Sequence, residues 1–93
     1  MNYQEQNFAV KIFKLLSNAN RLRIIDLLRS GSQELTATMI AEKLDLEITN
    51  VSNHLVRLRE NNILAARQDG VSMFYKIKNT KVMQLIDLAK KLS

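Results

Sequence analysis

Apolar residues recur at helical spacing along most of this chain, and the clearest case lies in residues 44–64. Val51, Leu55 and Leu58 stand at positions i, i+4 and i+7, so they form one stripe on a helix. The other face of the same helix opens with small or hydrogen-bonding side chains. This pattern predicts a helix that is buried along one side and exposed along the other.

Helical spacing also predicts two longer helices at the start of the chain. The first covers residues 7–16, after a polar start over residues 1–6 that we expect to be frayed. The second has a broad apolar face that indicates burial on more than one side, as for a central helix, and it is built on Leu22, Ile25 and Leu28. Ser30-Gly31-Ser32 ends it, with Gly31 free to take a left-handed conformation.

Two short helices are expected in the middle of the chain. A brief extended segment over residues 33–35 precedes a helix over 37–44, with Thr36 as its N-cap. Only Asp45-Leu46-Glu47 separates this helix from the one that carries Val51. Two short helices joined by so few residues are typical of a helix-turn-helix, although the glycine usual in that turn is absent.

The last third of the chain predicts a hairpin and a helix. Asn61-Asn62 ends the fourth helix, and Asp69-Gly70 is a strong turn signal between two arms with alternating side chains. A final apolar stripe predicts a helix over residues 80–92. The fold class is therefore mainly α with a small β-hairpin, five helices plus a wing, in a single domain over residues 1–93.

Composition narrows the class of protein. The chain has 93 residues, 46% of them hydrophobic, which suits one small globular domain. Its net charge of +5 favours a polyanionic partner such as nucleic acid, but only modestly. The absence of cysteine excludes disulfides and thiolate metal sites. No membrane-length apolar run and no signal-peptide pattern occur, so we expect a cytosolic protein without membrane contact.

Three stretches, in this order of elements, resemble the ArsR/SmtB family of bacterial transcriptional repressors. They are LLSNANRLRIIDLLRSG, ELTATMIAEKLDLEITNVSNHLVRLRENNIL and RQDGVSMFYKI, and together they cover roughly residues 13–78. Within them, Val51-Ser52-Asn53-His54-Leu55 matches the family's V-S-x-H-L core. The resemblance implies a winged helix-turn-helix homodimer whose recognition helices enter successive major grooves and whose wings reach flanking minor grooves.

The polar tip of the fourth helix suits base reading, because amide and hydroxyl groups match donors and acceptors of the major groove. Position by position, the resemblance places recognition-helix contacts on Ile48, Thr49, Asn50, Ser52, Asn53 and Arg57, and wing contacts on Arg67 and Gln68. Arg57 either binds a phosphate or is a solvated surface charge. The terminal helices, 7–16 and 80–92, would form the dimer interface through Phe8, Ile12, Leu15, Val82, Leu85, Ile86 and Ala89.

The chain departs from the family where metal sensors hold their ligands. The family's C-x-C falls on Thr36-Ala37-Thr38, and the C-terminal helix offers Asp87 but no histidine. Hydroxyls are poor ligands for soft or borderline metals, so we expect neither a metal nor a cofactor. The single histidine, His54, has no companion ligands. It also lies two residues from Ser52 on a helix and points elsewhere, which argues against a catalytic pair and against an enzyme.

Two functions from different classes are consistent with these features. The first is a dimeric repressor that binds a palindromic operator in double-stranded DNA, with half-sites about 34–36 Å apart or a multiple of that distance. The alternative is a winged-helix adaptor for protein–protein interaction, which would expose an apolar patch instead of a polar helix tip. No side chain selects an inducer, whether a small molecule or a protein.

Overall fold

The computed structural model describes residues 1–31 and 34–93. Within this part of the chain, five helices and three strands have the bounds α1 Tyr3–Leu16, α2 Ala19–Ser30, β1 Leu35–Thr36, α3 Ala37–Leu44, α4 Ile48–Glu60, β2 Leu64–Asp69, β3 Ser72–Ile77 and α5 Thr80–Lys91. The predicted fold class, five helices with a β-hairpin wing, is confirmed. The predictions that concern Ser32 and Gln33 lie outside the described residues.

Helix α1 begins at Tyr3 rather than at residue 7. The Asn2 side chain accepts a hydrogen bond from the Glu5 backbone N–H at 2.8 Å, and the Glu5 carboxylate accepts one from the Asn2 N–H at 3.3 Å. This reciprocal capping box satisfies two amides that would otherwise lack a partner at the start of the helix. The expectation of a frayed start is therefore wrong from Tyr3 onward.

Helix α2 lies at the centre of the molecule, as its broad apolar face predicted. The buried side chains of α2 are Ile24, Ile25 and Leu28. They share one core with side chains from each of the other helices. At the end of α2, Gly31 has a φ of −110°, so the left-handed conformation expected there does not occur. The Ser30 hydroxyl instead donates to the Leu27 carbonyl at 3.0 Å, which satisfies a terminal carbonyl by another route.

In the turn between α3 and α4, an aspartate takes the conformation that a glycine usually supplies. Asp45 has a φ of 54°. Its N–H donates to the Glu42 carbonyl at 3.4 Å, and the Leu46 N–H donates to the Ala41 carbonyl at 3.0 Å, which is the pattern of a Schellman cap. Aspartate tolerates this region better than most residues because its short polar side chain can bond locally. The helix-turn-helix thus forms without the missing glycine.

Asn62 has the same role after α4. It has a φ of 62°, and its N–H donates to the Arg59 carbonyl at 3.0 Å. The next amide, that of Ile63, donates to the Leu58 carbonyl at 2.9 Å. Since Ile63 and Leu58 are both fully buried, this cap leads the chain from α4 directly through the core and into the wing.

The wing is the predicted antiparallel hairpin, with β1 added as a short third strand in the order β1-β3-β2. Asp69 and Ser72 are still paired, so the loop consists of Gly70-Val71 and lies one residue later than the predicted Asp69-Gly70 turn. Gly70 has a φ of 63°, as the favoured two-residue hairpin loops require of their first residue.

Helix α5 is attached to α2 by apolar packing and by charge. Three of its side chains are buried in the core: Val82, Met83 and Ile86. The Asp87 carboxylate accepts two hydrogen bonds from the Arg29 guanidinium, at 2.7 and 2.8 Å, and Lys90 lies 3.8 Å from Asp26. Because both ion pairs are open to solvent, the apolar contacts provide most of the attachment.

The left-handed turn residue gives a first test. Replacing Asp45 by valine should lower the free energy of unfolding by about 1–2 kcal/mol, because a β-branched side chain is strained at positive φ. Asp45→Gly should leave the stability at or above that of the natural chain. Urea unfolding at one protein concentration measures both, and equal stability of the valine and glycine variants would contradict this account of the turn.

Candidate nucleic-acid interface

The outward face of α4 is open to solvent along its whole length. The six side chains predicted to contact DNA on this helix are all exposed except Ser52, which is half-buried: Ile48, Thr49, Asn50, Ser52, Asn53 and Arg57. The opposite stripe of Val51, Leu55 and Leu58 is fully buried, as its spacing predicted. The structure therefore brings the predicted recognition residues together on one accessible surface.

Three of these side chains form a row. Thr49, Asn53 and Arg57 are spaced four residues apart, so they lie above one another on the helix over about 12 Å. A hydroxyl and an amide open the row, and a guanidinium ends it. The polar groups suit base edges, whereas the guanidinium suits a phosphate.

The first turn of α4 has no side-chain cap. Glu47 occupies the N-cap position in an extended conformation, and its side chain accepts no hydrogen bond from the helix. The first amides of α4 are therefore left for solvent or a ligand, at the end of the helix where the macrodipole favours negative charge. This places backbone donors beside Thr49.

His54 is half-buried on one side of α4 and contacts Arg21 of α2. The Nη1 atom of Arg21 lies 3.3 Å from Nδ1 of His54. Partial burial, followed by the charges of Arg21 and Arg57, lowers the pKa of His54 below its ordinary value. A neutral ring can accept the Arg21 hydrogen bond, so His54 acts here as a packed, hydrogen-bonded residue.

Arg21 and Arg23 cap the ends of neighbouring helices. The Nε of Arg21 donates to the Leu15 carbonyl and its Nη2 to the Lys14 carbonyl, both in the last turn of α1. The Nη2 of Arg23 donates to the Leu44 carbonyl at 2.9 Å, in the last turn of α3. Both arginines thus bind carbonyls that a helix end leaves without a partner.

The wing arginine is less available than predicted. The Nε of Arg67 lies 3.0 Å from a Glu34 carboxylate oxygen, and its Nη1 lies 3.7 Å from Asp69. Its guanidinium also stands 5.1 Å from the centre of the Phe74 ring. The hydrogen bond and charge of Glu34 raise the pKa of Arg67. Its charge is therefore largely balanced by Glu34 and Asp69, whereas Gln68 is exposed and its side-chain amide donates to the Gly70 carbonyl.

The residues predicted for the dimer interface divide into two groups. Leu15, Val82 and Ile86 are only 5%, 6% and 8% exposed, because they fill the core of this chain. Side chains so deeply buried leave little surface for a second copy, and they pack in the core of their own chain. The rest of the predicted set keeps accessible surface: Phe8, Ile12, Leu85 and Ala89.

Several other apolar residues of the terminal helices are more exposed than most of the residues predicted for the dimer interface. Phe13 and Leu88 are each 59% exposed, and Tyr3 and Val10 are also open to solvent. An apolar groove of about 420 Å³ lies between α1, α2 and α5, lined by Phe13, Leu16, Leu22, Leu85 and others.

The Asn2-x-x-Glu5 pattern would have extended α1 to Tyr3 from sequence alone, because it is the signature of a capping box.

The positions where family members hold metals have structural roles in this chain. The Thr36 hydroxyl accepts a hydrogen bond from the Met39 N–H at 3.2 Å and so caps α3, as predicted. Asp87 is engaged by Arg29. Over residues 1–31 and 34–93, no three side chains of the His, Cys, Asp and Glu types are grouped so that they could hold a metal. No helix of that same part is long and apolar enough to span a membrane.

Known proteins share this sequence and geometry. The helix-turn-helix domain family matches residues 16–67. KmtR, an HTH-type transcriptional regulator of Mycobacterium tuberculosis, is 31% identical over 77 residues, covering 83% of this chain and 58% of KmtR. The transcriptional repressor SdpR of Bacillus subtilis is 33% identical over 73 residues, covering 78% of each chain.

A solved structure has the same architecture. The homodimeric winged helix-turn-helix DNA-binding domain of Mb0332 from Mycobacterium bovis, a possible ArsR-family transcriptional regulator, matches with a TM-score of 0.81 at 27% identity. The match covers 96% of this chain and 81% of that one.

Fold and exposed helix face together define a winged helix-turn-helix domain of the DNA-binding class. The chain belongs to the ArsR/SmtB family, whose members are transcriptional regulators rather than enzymes. The matched part of the chain spans 58% of the length of KmtR.

The environment of His54 gives a second test. Because it is the only histidine of the chain, its ring can be followed alone by NMR, and we expect a pKa below about 6.5. The folded state then binds fewer protons than the unfolded state near that pH, so acidification through pH 6.5 should destabilise the fold.

A matched pair of variants tests the cause of the shift in the pKa of His54. Arg57→Gln should raise the pKa part of the way towards the ordinary value, because burial and Arg21 remain. Arg59→Gln, on the same helix, should leave it unchanged. A midpoint at or above 6.5 in the natural chain would contradict the described environment of His54.

Proposed function

We propose that this chain is a sequence-specific regulator of transcription that binds a palindromic operator in double-stranded DNA as a homodimer, and that it represses by occupying that operator. The observation that carries the proposal is the exposed row of Thr49, Asn53 and Arg57 on the second helix of the helix-turn-helix. An adaptor would need an apolar surface along this row, and the row is polar. The name of SdpR, a transcriptional repressor, supports repression as the outcome.

The residues of this row contact different parts of the DNA. Thr49 and Asn53, with half-buried Ser52 beside them, present donors and acceptors to base edges in the major groove. The amides of the first turn of α4 and the guanidinium of Arg57 bind phosphates on either side, which fixes the register of the helix. Ile48, exposed at the start of the helix, offers an apolar contact for a thymine methyl group.

The wing contributes to this interface chiefly through its shape and through Gln68. A phosphate that approaches Arg67 has to compete with Glu34 and Asp69, which already balance its charge. Gln68 has no ionic partner and can turn its amide towards the backbone or the minor groove. We therefore assign the principal wing contact to Gln68, with Arg67 as a weaker one.

The dimer is supported by the course of α1. Its apolar stripe runs from Phe8, which is 65% exposed, through half-buried Ile12 to buried Leu15. The stripe therefore continues beyond the body of its own chain. A second copy would cover it, together with the groove beside Phe13, through a self-complementary interface of the terminal helices. The homodimeric state of Mb0332 supports this arrangement.

Base reading is tested with a duplex that the natural chain enriches from a random pool. Thr49→Ala and Asn53→Ala should each reduce the preference for that duplex over a scrambled one by about 1–3 kcal/mol, the usual value of a lost base contact. Competition binding at fixed salt measures this ratio. Thr80→Ala, a similar truncation at the exposed start of α5, is the control and should leave it unchanged. If both α4 variants keep the full preference, the base-reading proposal fails.

The dimer is tested with Phe8→Glu. A charge on the exposed end of the α1 stripe should separate the copies, because burying an unpaired carboxylate is costly, while the fold of each chain remains. The mass measured by sedimentation should fall from twice the 10.7 kDa of one chain to 10.7 kDa. The affinity for the enriched duplex should also fall. Val71→Glu, at the fully exposed wing tip, is the control for sedimentation alone. A natural chain that sediments as a monomer at micromolar concentration would reject the proposal.

A further inference from the structure

A cleft rich in positive charge lies between the last turns of α1 and the end of α4. It has a volume of about 210 Å³ and is lined by Lys11, Lys14, Leu15, Arg21, Arg57 and Asn61. Four of these six side chains are cations and none is acidic. Lys11 and Lys14 lie one turn apart on α1, so they present two ammonium groups to the same side of the cleft.

In the part of the chain that the structure describes, the cations of this cleft lack the acidic partners that Arg29 and Arg67 have. Arg29 is paired with Asp87, and Arg67 with Glu34. The salt bridges formed within residues 1–31 and 34–93 include none of the four cleft cations. Burial and, after it, the charge of Arg57 lower the pKa of Arg21. An anion placed among the four cations would relieve the repulsion between them.

The cleft also keeps hydrogen-bond donors for such an anion. Arg21 directs three of the five N–H groups of its guanidinium to the Leu15 and Lys14 carbonyls and to His54, which leaves two. Those three contacts hold the guanidinium in place before any ligand arrives. A preorganised planar donor beside two ammonium groups matches the geometry and charge of a phosphate group.

The position of the cleft identifies the source of the phosphate. Arg57 lines the cleft and also ends the row that begins with Thr49, so the two surfaces are continuous. Asn61 continues the same spacing one turn further. When the start of α4 reads bases, the end of the helix leaves the groove and passes the sugar–phosphate backbone.

We propose that this cleft binds a backbone phosphate of the duplex beside the groove that α4 reads. Helix α1, assigned from sequence to the dimer alone, thereby also contacts DNA, through Lys11 and Lys14. This inference rests on the proposed function and extends the interface from the helix-turn-helix and wing onto the first helix.

The salt dependence of binding by Lys14→Gln tests the proposal. Glutamine is a good helix former, so α1 should be retained. Affinity should fall equally for the enriched and the scrambled duplex, because a phosphate contact carries no sequence information. The slope of log affinity against log salt should lose about 0.9 for each bound subunit. The ratio of natural to variant affinity should accordingly shrink by about 3.5-fold per subunit between about 50 and about 200 mM salt.

The control is Lys91→Gln, which removes the same charge from the exposed last turn of α5. Lys11→Gln should repeat the behaviour of Lys14→Gln from the neighbouring turn. If Lys14→Gln and Lys11→Gln keep the slope of the natural chain, or change it only as much as Lys91→Gln does, the backbone contact is rejected.

Titration of the free protein with inorganic phosphate distinguishes a backbone site from a site for a free anion. Phosphate that shifts the NMR signals of Lys14 and Arg57 but not of Lys91, and no longer does so once duplex is bound, supports the proposal. Phosphate that binds the cleft equally well with duplex present overturns it.

Base reading by α4 and phosphate binding by the cleft can be refuted independently. A natural chain without preference for any duplex refutes base reading, yet a reduced slope in Lys14→Gln would still support the cleft. A natural chain that selects its duplex, with an unchanged slope in the variant, refutes the cleft alone.

Discussion

Val51, Leu55 and Leu58 point from α4 into the core and are fully buried there, and the orientation of every outward side chain of this helix depends on them. Rotating α4 about its axis would expose these three side chains, each of which gains about 1.5–3 kcal/mol from burial. The rotation of α4 about its axis is therefore set by apolar packing against α2 and its neighbours, and Thr49 and Asn53 need no contacts of their own to face outward. Capping by Asn62 and Ile63 then fixes where the helix ends.

Periodicity, together with cap and turn signals, predicted most of the elements of the fold. The burial of the α4 stripe and the central place of α2 follow from the spacing of long aliphatic residues, because one face of each helix has to be removed from water. The start of α3 follows from the N-cap signal of Thr36. The exposure of the outer row of α4 could be predicted for the same reason as the burial of its stripe, because the outer row follows once the inner stripe is known. These are properties of local sequence, and they needed no knowledge of which elements meet.

What the sequence did not yield depends on contacts between elements or on backbone conformation. Leu15 and Ile86 look like any apolar helix residue, and only the packed chain decides whether such a residue faces its own core or a partner. The pairing of Arg67 with Glu34 joins residues 33 positions apart and has no local signature. The left-handed turn at Asp45 occurs without the glycine from which it could have been predicted. The Schellman hydrogen bonds compensate for the strain of an aspartate in this conformation.

The contacts of Arg21 have a mechanical consequence. Its single guanidinium joins the final carbonyls of α1 to a ring on α4 while its backbone belongs to α2, so three helices share one rigid, planar group. A tilt of α1 would therefore move two carbonyls that are bonded to the same guanidinium as His54 on α4. Arg21 thus links the position of α1 to that of α4 through one side chain.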